Sequence, residues 1–341
     1  MSKGTILVTG GCGYIGSHTI VDLLENGYSV VSADDLSNAD ERVLDGIKAI
    51  TGIRVVNHQL DLADRDATRK LFAAYRFDGA IHFAAAKLVG ESVQKPLHYY
   101  RNNLNSLMNV LECLDGQGNN GKLIFSSSCS VYGNARELPV TENTPRQAAE
   151  SPYAATKQMG EDILQDYCRA HPHFGVVALR YFNPAGAHPS GLIGESPANP
   201  PSSLVPVITE TAHGKREEVV VFGNDYPTRD GSAVRDYIHV SDLAHAHTLA
   251  LHYAQDGRAA ANYELFNLGI GAGLTVLEVI HAFEEVAGVS LNYRIGPRRA
   301  GDVVAIYADN TRAEEVLGWQ PRHDVRDIMR TAWAWEQKRS A

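Results

Sequence analysis

The chain has 341 residues, 44% of them apolar and 21% charged, which is enough for two packed domains and is an ordinary globular composition in which disorder is not expected. Its net charge of -9 argues against a broad attraction to nucleic acid or an anionic membrane, so an anionic small-molecule ligand would need locally placed arginines. Cys12, Cys113, Cys129 and Cys168 have no metal or redox spacing, the histidines form no ligand set, and no apolar run approaches the roughly 18 residues of a membrane span; the opening residues lack a signal-peptide layout, so a cytoplasmic protein without bound metal is expected.

Thr5–Thr9 reads as a buried strand, and the amphipathic stretch Tyr14–Asn26 behind it as a helix. Strand patterns then recur at Ser29–Asp34, Arg54–Asn57, Gly79–Phe83, Lys122–Ser127 and Val176–Arg180. Between them lie helical patterns at Asp64–Tyr75, Pro96–Leu114 and Tyr153–Ala170. Strand and helix in alternation predict an α/β fold, a doubly wound parallel sheet with ligands at the carboxyl ends of its strands. From Tyr181 to Pro206 the chain is rich in Gly, Pro, Ser and Asn, which is loop chemistry, and the later elements are shorter until a helical pattern at Val325–Lys338. We therefore expect a dinucleotide-binding domain over residues 1–180 and a smaller mixed α/β substrate domain over 181–341, with some of its segments returning to the first.

Gly10, Gly13 and Gly16 stand three apart between the first strand and the first helix. In a Rossmann-type domain the first glycine makes the tight turn, the second lets backbone approach a pyrophosphate, and the third lets helix pack on strand. The phosphates then face the free N–H groups and positive end of the helix, at Tyr14 and Ile15. Asp34 ends the second strand, where an acidic side chain can accept from ribose hydroxyls. Asp35 beside it would repel a 2′-phosphate, and NAD is favoured over NADP.

Tyr153 and Lys157 lie four apart, behind a Pro152 suited to a first helical turn, so their side chains share a face. A phenol ordinarily titrates near 10; an ammonium about 4 Å away at an effective dielectric of about 20 would contribute ~4 kcal/mol, or roughly three pKa units, towards its ionisation. Alone, such a pair is an ordinary exposed couple. Phe125-Ser126-Ser127-Ser128 changes that, because it ends the fifth strand where a hydroxyl faces the ligand crevice. Ser128 can there hydrogen-bond a substrate hydroxyl.

The glycine triplet, the strand-end serine and Tyr-x-x-x-Lys together resemble the extended short-chain dehydrogenase/reductase family. Longer strings resemble its nucleotide-sugar epimerases: Gly10–His18, Val89–Pro96, Ser126–Gly133, Arg180–Gly191, Phe222–Thr228, Val234–Val240, Asn267–Gly269 and Pro297–Asp302. The resemblance implies reversible interconversion of UDP-glucose and UDP-galactose through a 4-keto sugar, with NAD as a bound catalyst. Tyr153 would exchange the 4-hydroxyl proton, Ser128 would assist, and Lys157 would hold the cofactor ribose and lower the phenol. It further implies a cofactor shell of Tyr14, Ile15, Asp34, Asp35, Leu36, Asn38, Asp61, Leu62, Phe83, Ala84, Ala85, Lys87, Asn102, Ser126 and Phe182. The nucleotide-sugar shell it implies contains Lys87, Phe182, Asn183, Ser203, Leu204, Val220, Phe222, Arg235, Arg299, Asp302 and Ile306, with the two arginines suited to a diphosphate. A homodimer is also implied.

Some positions depart from that pattern. Ser203 stands where Asn is usual, Cys129-Ser130 where Ala and Thr are frequent, and Ala85-Ala86 where Gly-Leu is common. Ile306 occupies a place where side-chain size varies at the sugar pocket, which leaves N-acetylated UDP-sugars open as substrates. A 4,6-dehydratase would need a carboxylate beside Ser128, and Ser128-Cys129-Ser130 supplies none. An epimerase of UDP-uronates and an NAD-binding protein without catalysis both stay open at this point.

Overall fold

Ile6 and Val8 of the first strand enter one buried apolar cluster, while Leu7 between them enters another. Burial on both faces explains why these strands read as nearly continuous apolar runs. In the computed structural model, which describes residues 2–118, 121–196, 201–299 and 302–340, the first six strands are β1 (Thr5–Thr9), β2 (Ser29–Ala33), β3 (Val56–His58), β4 (Gly79–His82), β5 (Lys122–Ser128) and β6 (Gly175–Tyr181). The later strands are β7 (Asn183–Ala185), β8 (Val219–Phe222), β9 (Val234–Arg235), β10 (Tyr237–His239), β11 (Tyr263–Leu268), β12 (Leu274–Thr275), β13 (Tyr293–Gly296) and β14 (Ala305–Ile306). The α-helices are α1 (Tyr14–Glu25), α2 (Val43–Thr51), α3 (Arg65–Ala74), α4 (Val89–Gln94), α5 (Pro96–Asp115), α6 (Pro152–Ala170), α7 (Leu204–Ala212), α8 (Val240–Gln255), α9 (Val276–Ala287) and α10 (Val325–Arg339).

Seven parallel strands form the main sheet in the order β11-β6-β5-β4-β1-β2-β3. Strand order reverses between β1 and β4, which opens a crevice at their carboxyl ends where an α/β sheet takes its ligand. Helices α1 and α8 supply one covering layer through Ile20, Leu23, Leu243 and Leu251, and α5 and α6 the other through Leu107, Val110 and Leu164. A third cluster, with Ile208, Val221, Ile280, Phe283 and Ile328, joins α7, α9 and α10 to β8. The short pairs β7–β10 and β8–β13, and the triplet β12-β9-β14, belong to this side of the molecule. Among the described residues no helix is long and apolar enough to cross a membrane.

The second strand stops at Ala33, one residue before the expected Asp34, because the Asp34 carboxylate turns to accept the Cys12 N–H at 3.0 Å. The third runs Val56–His58 where Arg54–Asn57 was expected. Helices α2 and α4 and the seventh strand, β11, are additional to the expected elements. Residues 197–200 of the expected loop and 300–301 of the Pro297–Asp302 string lie outside the described residues.

Candidate active site

The glycine loop is shaped by contacts that leave no room for side chains. Gly10 has φ +67°, and a Cβ there would stand 3.0 Å from the Ala84 backbone nitrogen, so the turn presses against the end of β4. A Cβ on Gly16 would lie 2.2 Å from the Gly10 carbonyl oxygen, which ties the start of α1 to the loop. Gly13 differs: its Cβ would meet only the Gly10 oxygen at 3.1 Å, so its outer side is open. Helix α1 begins there with no side-chain cap and no acidic residue in its first turn, leaving backbone donors at Tyr14 and Ile15 for an anion.

Around this loop the structure gathers most of the residues expected to hold a dinucleotide. Burial raises the Asp34 carboxyl above its usual range against the pull of the Leu36 and Cys12 N–H groups, the Leu36 bond being 2.9 Å long. Leu36 has φ +63°, which bends the chain away from β2. Asp35 is exposed and accepts from the Ser37 N–H at 2.9 Å. The Asn38 Oδ1 atom is buried with no hydrogen-bond partner, as a group awaiting a ligand would be. Asp61 caps the Ala63 N–H at 2.8 Å and Leu62 is buried behind β3. Phe83, Ala84 and Ala85 follow β4, with the Phe83 N–H bonded to the Thr9 carbonyl at 3.1 Å. Lys87 reaches Glu195 at 3.7 Å, and Tyr14 donates to the Gly186 carbonyl at 2.6 Å, so the loop after β7 closes over this end of the crevice. These features fit a dinucleotide.

Asn102 donates to Asn103 at 3.1 Å, and Asn103 is the residue that clamps the chain after β4. It accepts the Ala86 N–H at 2.8 Å and donates to the Ala86 carbonyl at 3.1 Å and to Thr156 at 3.0 Å. Its position beside Asn102 was its only signal in the sequence.

Helix α6 starts with Ser151 accepting the Ala154 N–H at 3.2 Å and Pro152 in the first turn. Tyr153 and Lys157 then face the end of β5. Burial pushes the Tyr153 phenol up to about 12, and a hydrogen bond with Ser128 pulls the other way. The Lys157 nitrogen lies 5.9 Å from the Tyr153 ring centroid and donates to the Ser126 carbonyl at 2.5 Å. A buried ammonium needs such an acceptor to offset its lost hydration. Burial also draws Lys157 down to about 8, against the attraction of Glu161. The Ser126 hydroxyl is hydrogen-bonded to Tyr181.

The residues expected to hold a nucleotide sugar converge from the other side. Arg235 on β9 is paired with Asp302 and stands next to Ile306, its register partner on β14. Arg235 also acts electrostatically on the half-buried Cys129 side chain, which places this cluster against the residue following Ser128. Ile306 and Phe182 are buried in one apolar cluster with Cys129 packed against it. The Asn183 Oδ1 atom is buried and unpartnered. Arg299 lies 4.3 Å over the Phe222 ring, while Phe222 and Val220 occupy the half-buried positions of β8. Ser203 precedes α7 without capping it, so the Leu204 end of that helix keeps free donors. Arg235 thus acts on the residue that follows Ser128 and Arg299 stands over Phe222, while Tyr153 and Lys157 meet the end of β5.

Known proteins resemble this chain over nearly its whole length. The family model described as GDP-mannose 4,6 dehydratase matches residues 7–332. The UDP-glucose 4-epimerase of Erwinia amylovora is 46% identical over 334 residues, covering 98% of each chain. Among solved structures, the UDP-glucose 4-epimerase of Bifidobacterium longum in complex with NAD+ and UDP superposes with a TM-score of 0.94 at 43% identity, covering 98% of this chain and 99% of that one. That of Stenotrophomonas maltophila, with bound NAD and formylated UDP-arabinopyranose, gives 0.95 at 45% identity, covering 99% of both chains. With its glycine loop, its Tyr-x-x-x-Lys helix and near-full-length identity to these proteins, the chain belongs to the UDP-glucose 4-epimerase family of extended short-chain dehydrogenases/reductases.

Proposed function

We propose that this protein interconverts UDP-glucose and UDP-galactose by inverting C4 of the hexose, with NAD as a bound catalyst. The observation that supports this reading is Tyr153 hydrogen-bonded to Ser128 and acting on Cys129, the same thiol that Arg235 acts on from β9. NAD, when bound, would supply the hydride acceptor and donor that inversion at C4 through a 4-keto sugar requires. The backbone of Gly13, Tyr14 and Ile15 would receive its pyrophosphate, and Asp34 and Asn38 its adenosine half. Asp34 and Asp35 favour NAD over its 2′-phosphorylated form.

Tyr153 is assigned the proton: in its ionised form it accepts the 4-hydroxyl proton as the ketone forms, and as the neutral phenol it returns that proton as the ketone is reduced. Ser128 orients that hydroxyl, and Lys157 holds the ribose beside the phenol. Arg235 and Arg299 are assigned the diphosphate, whose charge suits guanidinium donors. The ketone must turn between the two transfers, so the pocket has to grip the nucleotide and leave the hexose free. Phe182, Ile306 and Cys129 offer the hexose an apolar wall, which meets that requirement.

The test is conversion of UDP-galactose to UDP-glucose by purified protein without added NAD, with Tyr153→Phe alongside. We expect the variant to keep its fold and to lose about 10²- to 10⁴-fold in kcat, the usual contribution of a positioned acid–base group. Near-wild-type turnover by a folded Tyr153→Phe would remove the phenol from the mechanism.

The reading extends to a homodimer in the cytoplasm. Four free cysteines suit a reducing compartment. Leu97 and Met108 are exposed on one face of α5, with Val93 on α4 and Met159 on α6 also uncovered, an apolar surface suited to a second copy. Sedimentation equilibrium should give twice the chain mass, and a monomer at micromolar concentration would refute the pairing.

A further inference from the structure

Ser127 is the middle residue of the serine triplet and the one that cannot meet a ligand, because it is wholly buried. Its neighbours Ser126 and Ser128 contact Lys157 and Tyr153. Its own hydroxyl points the other way and donates to Glu161 Oε1 at 2.5 Å. Glu161 is fully buried on α6, one turn beyond Lys157 and two beyond Tyr153. Its carboxylate receives both arms of Arg180, Nε at 2.8 Å and Nη2 at 2.6 Å. Arg180 is the register partner of Ser127 on the adjacent strand β6. One carboxylate therefore ties together α6, the end of β5 and the end of β6.

We propose that Glu161 is a positioning residue: through Ser127 and Arg180 it fixes the strand end that presents Ser128 to Tyr153 and the Ser126 carbonyl to Lys157. The inference rests on the acid–base role proposed for Tyr153 and adds to it the residue that sets its geometry. Breaking the pairing of a buried carboxylate is costly, and here its hydrogen-bond partners, Ser127 and Arg180, sit on the strands that end at the site. Tight contact between helix and strand supports the same role. Gly160, beside Glu161, lets α6 close on β5, since a Cβ there would stand 2.8 Å from the Phe125 ring.

The arrangement also has an electrostatic consequence for Lys157. Facing its ammonium are Tyr153 and Glu161 from α6, His82 from β4, and the Phe125 ring and Ser126 carbonyl from β5. Burial holds His82 down to about 3, so it is neutral throughout the working range, and Glu161 is the carboxylate that favours the charged lysine. Arg180 and Arg146 face Glu161 from β6 and from the loop before α6, Arg146 at 3.6 Å.

The experiment compares wild type, Glu161→Gln, Ser127→Ala and Tyr153→Phe for kcat, KM and the pH profile of kcat on UDP-galactose, with bound NAD and circular dichroism measured on each. For Glu161→Gln we expect kcat to fall on the order of 10- to 100-fold with KM within about twofold, the signature of lost alignment rather than lost binding. We also expect its alkaline limb to move down by about one pH unit, because a lysine without its carboxylate gives up its proton sooner. A purely structural role would lower stability without moving that limb. Should Glu161→Gln fail to fold, Ser127→Ala decides, since it keeps the ion pair and cuts only the tether to the strand. We expect about a tenfold loss of kcat from it at unchanged KM and NAD content. Wild-type kcat in a folded variant, or a loss of kcat in Glu161→Gln with the alkaline limb unmoved, overturns the inference. Turnover retained by Tyr153→Phe would instead locate the failure in the assignment of the phenol.

Discussion

Acidification should unfold this protein through its buried histidines. Burial holds His18, His82 and His239 down to about 3 and His247 to about 4, against an ordinary value of 6.5. All four side chains are almost wholly inaccessible. A histidine depressed in the folded state binds its proton in the unfolded chain first, so stability is complete above about pH 6.5 and is lost as pH falls below it. Each costs ~1.4 kcal/mol for each pH unit below that point, so going from pH 7.5 to 5.5 removes about 5 kcal/mol. Asp236 acts in the opposite sense, since burial raises it to about 6 and it takes up a proton more readily when folded, which returns about 1 kcal/mol at pH 5.5. A net loss of about 4 kcal/mol is a large share of the 5–15 kcal/mol by which domains are ordinarily stable. Urea unfolding followed by circular dichroism at the two pH values measures it directly. Equal unfolding free energies, to within about 1 kcal/mol, would mean that these histidines reach water or a partner before the chain unfolds, and the reasoning would fail.

Two further outcomes test the site. Gly16→Ala places a methyl against the backbone of Gly10 and Gly11, at 2.2 and 2.9 Å, where neither can retreat cheaply. We expect a loss of about 1–3 kcal/mol in stability and no thermal stabilisation on adding NAD; a normal NAD-induced shift in Tm would show that the loop does not hold the cofactor. Ile306 is buried against Phe182 and is of intermediate size, so slow turnover of UDP-N-acetylglucosamine is expected and should disappear in Ile306→Tyr. Absence of that turnover in an enzyme fully active on UDP-glucose would exclude it.

The glycine loop, Asp34 and the Tyr153–Lys157 pair were legible in the sequence because each is a local pattern whose spacing sets its geometry: glycines three apart across a tight turn, and a Tyr–Lys pair four apart, about one turn of helix. Lys157 marks the limit of such reasoning. Spacing put its side chain on the face of Tyr153, but the Ser126 carbonyl across the β5–α6 contact decided where its nitrogen rests. Strand β11 was hidden for a related reason. Glu264 and Asn267 interrupt its apolar run, and both are buried only because Arg312 and Tyr132 come from distant parts of the chain to meet them.

What the sequence determined by itself, then, was the alternation of strands and helices, the dinucleotide loop and the chemical groups of the crevice, since propensity, periodicity and short-range spacing are properties of neighbouring residues. The tertiary structure decided which polar groups are buried and paired. The Glu161–Ser127–Arg180 clamp, the Asn103 tether and the Arg235–Asp302 pair join residues 17 to 67 positions apart. Their burial depends on a desolvation cost that only partners brought in by the fold can offset.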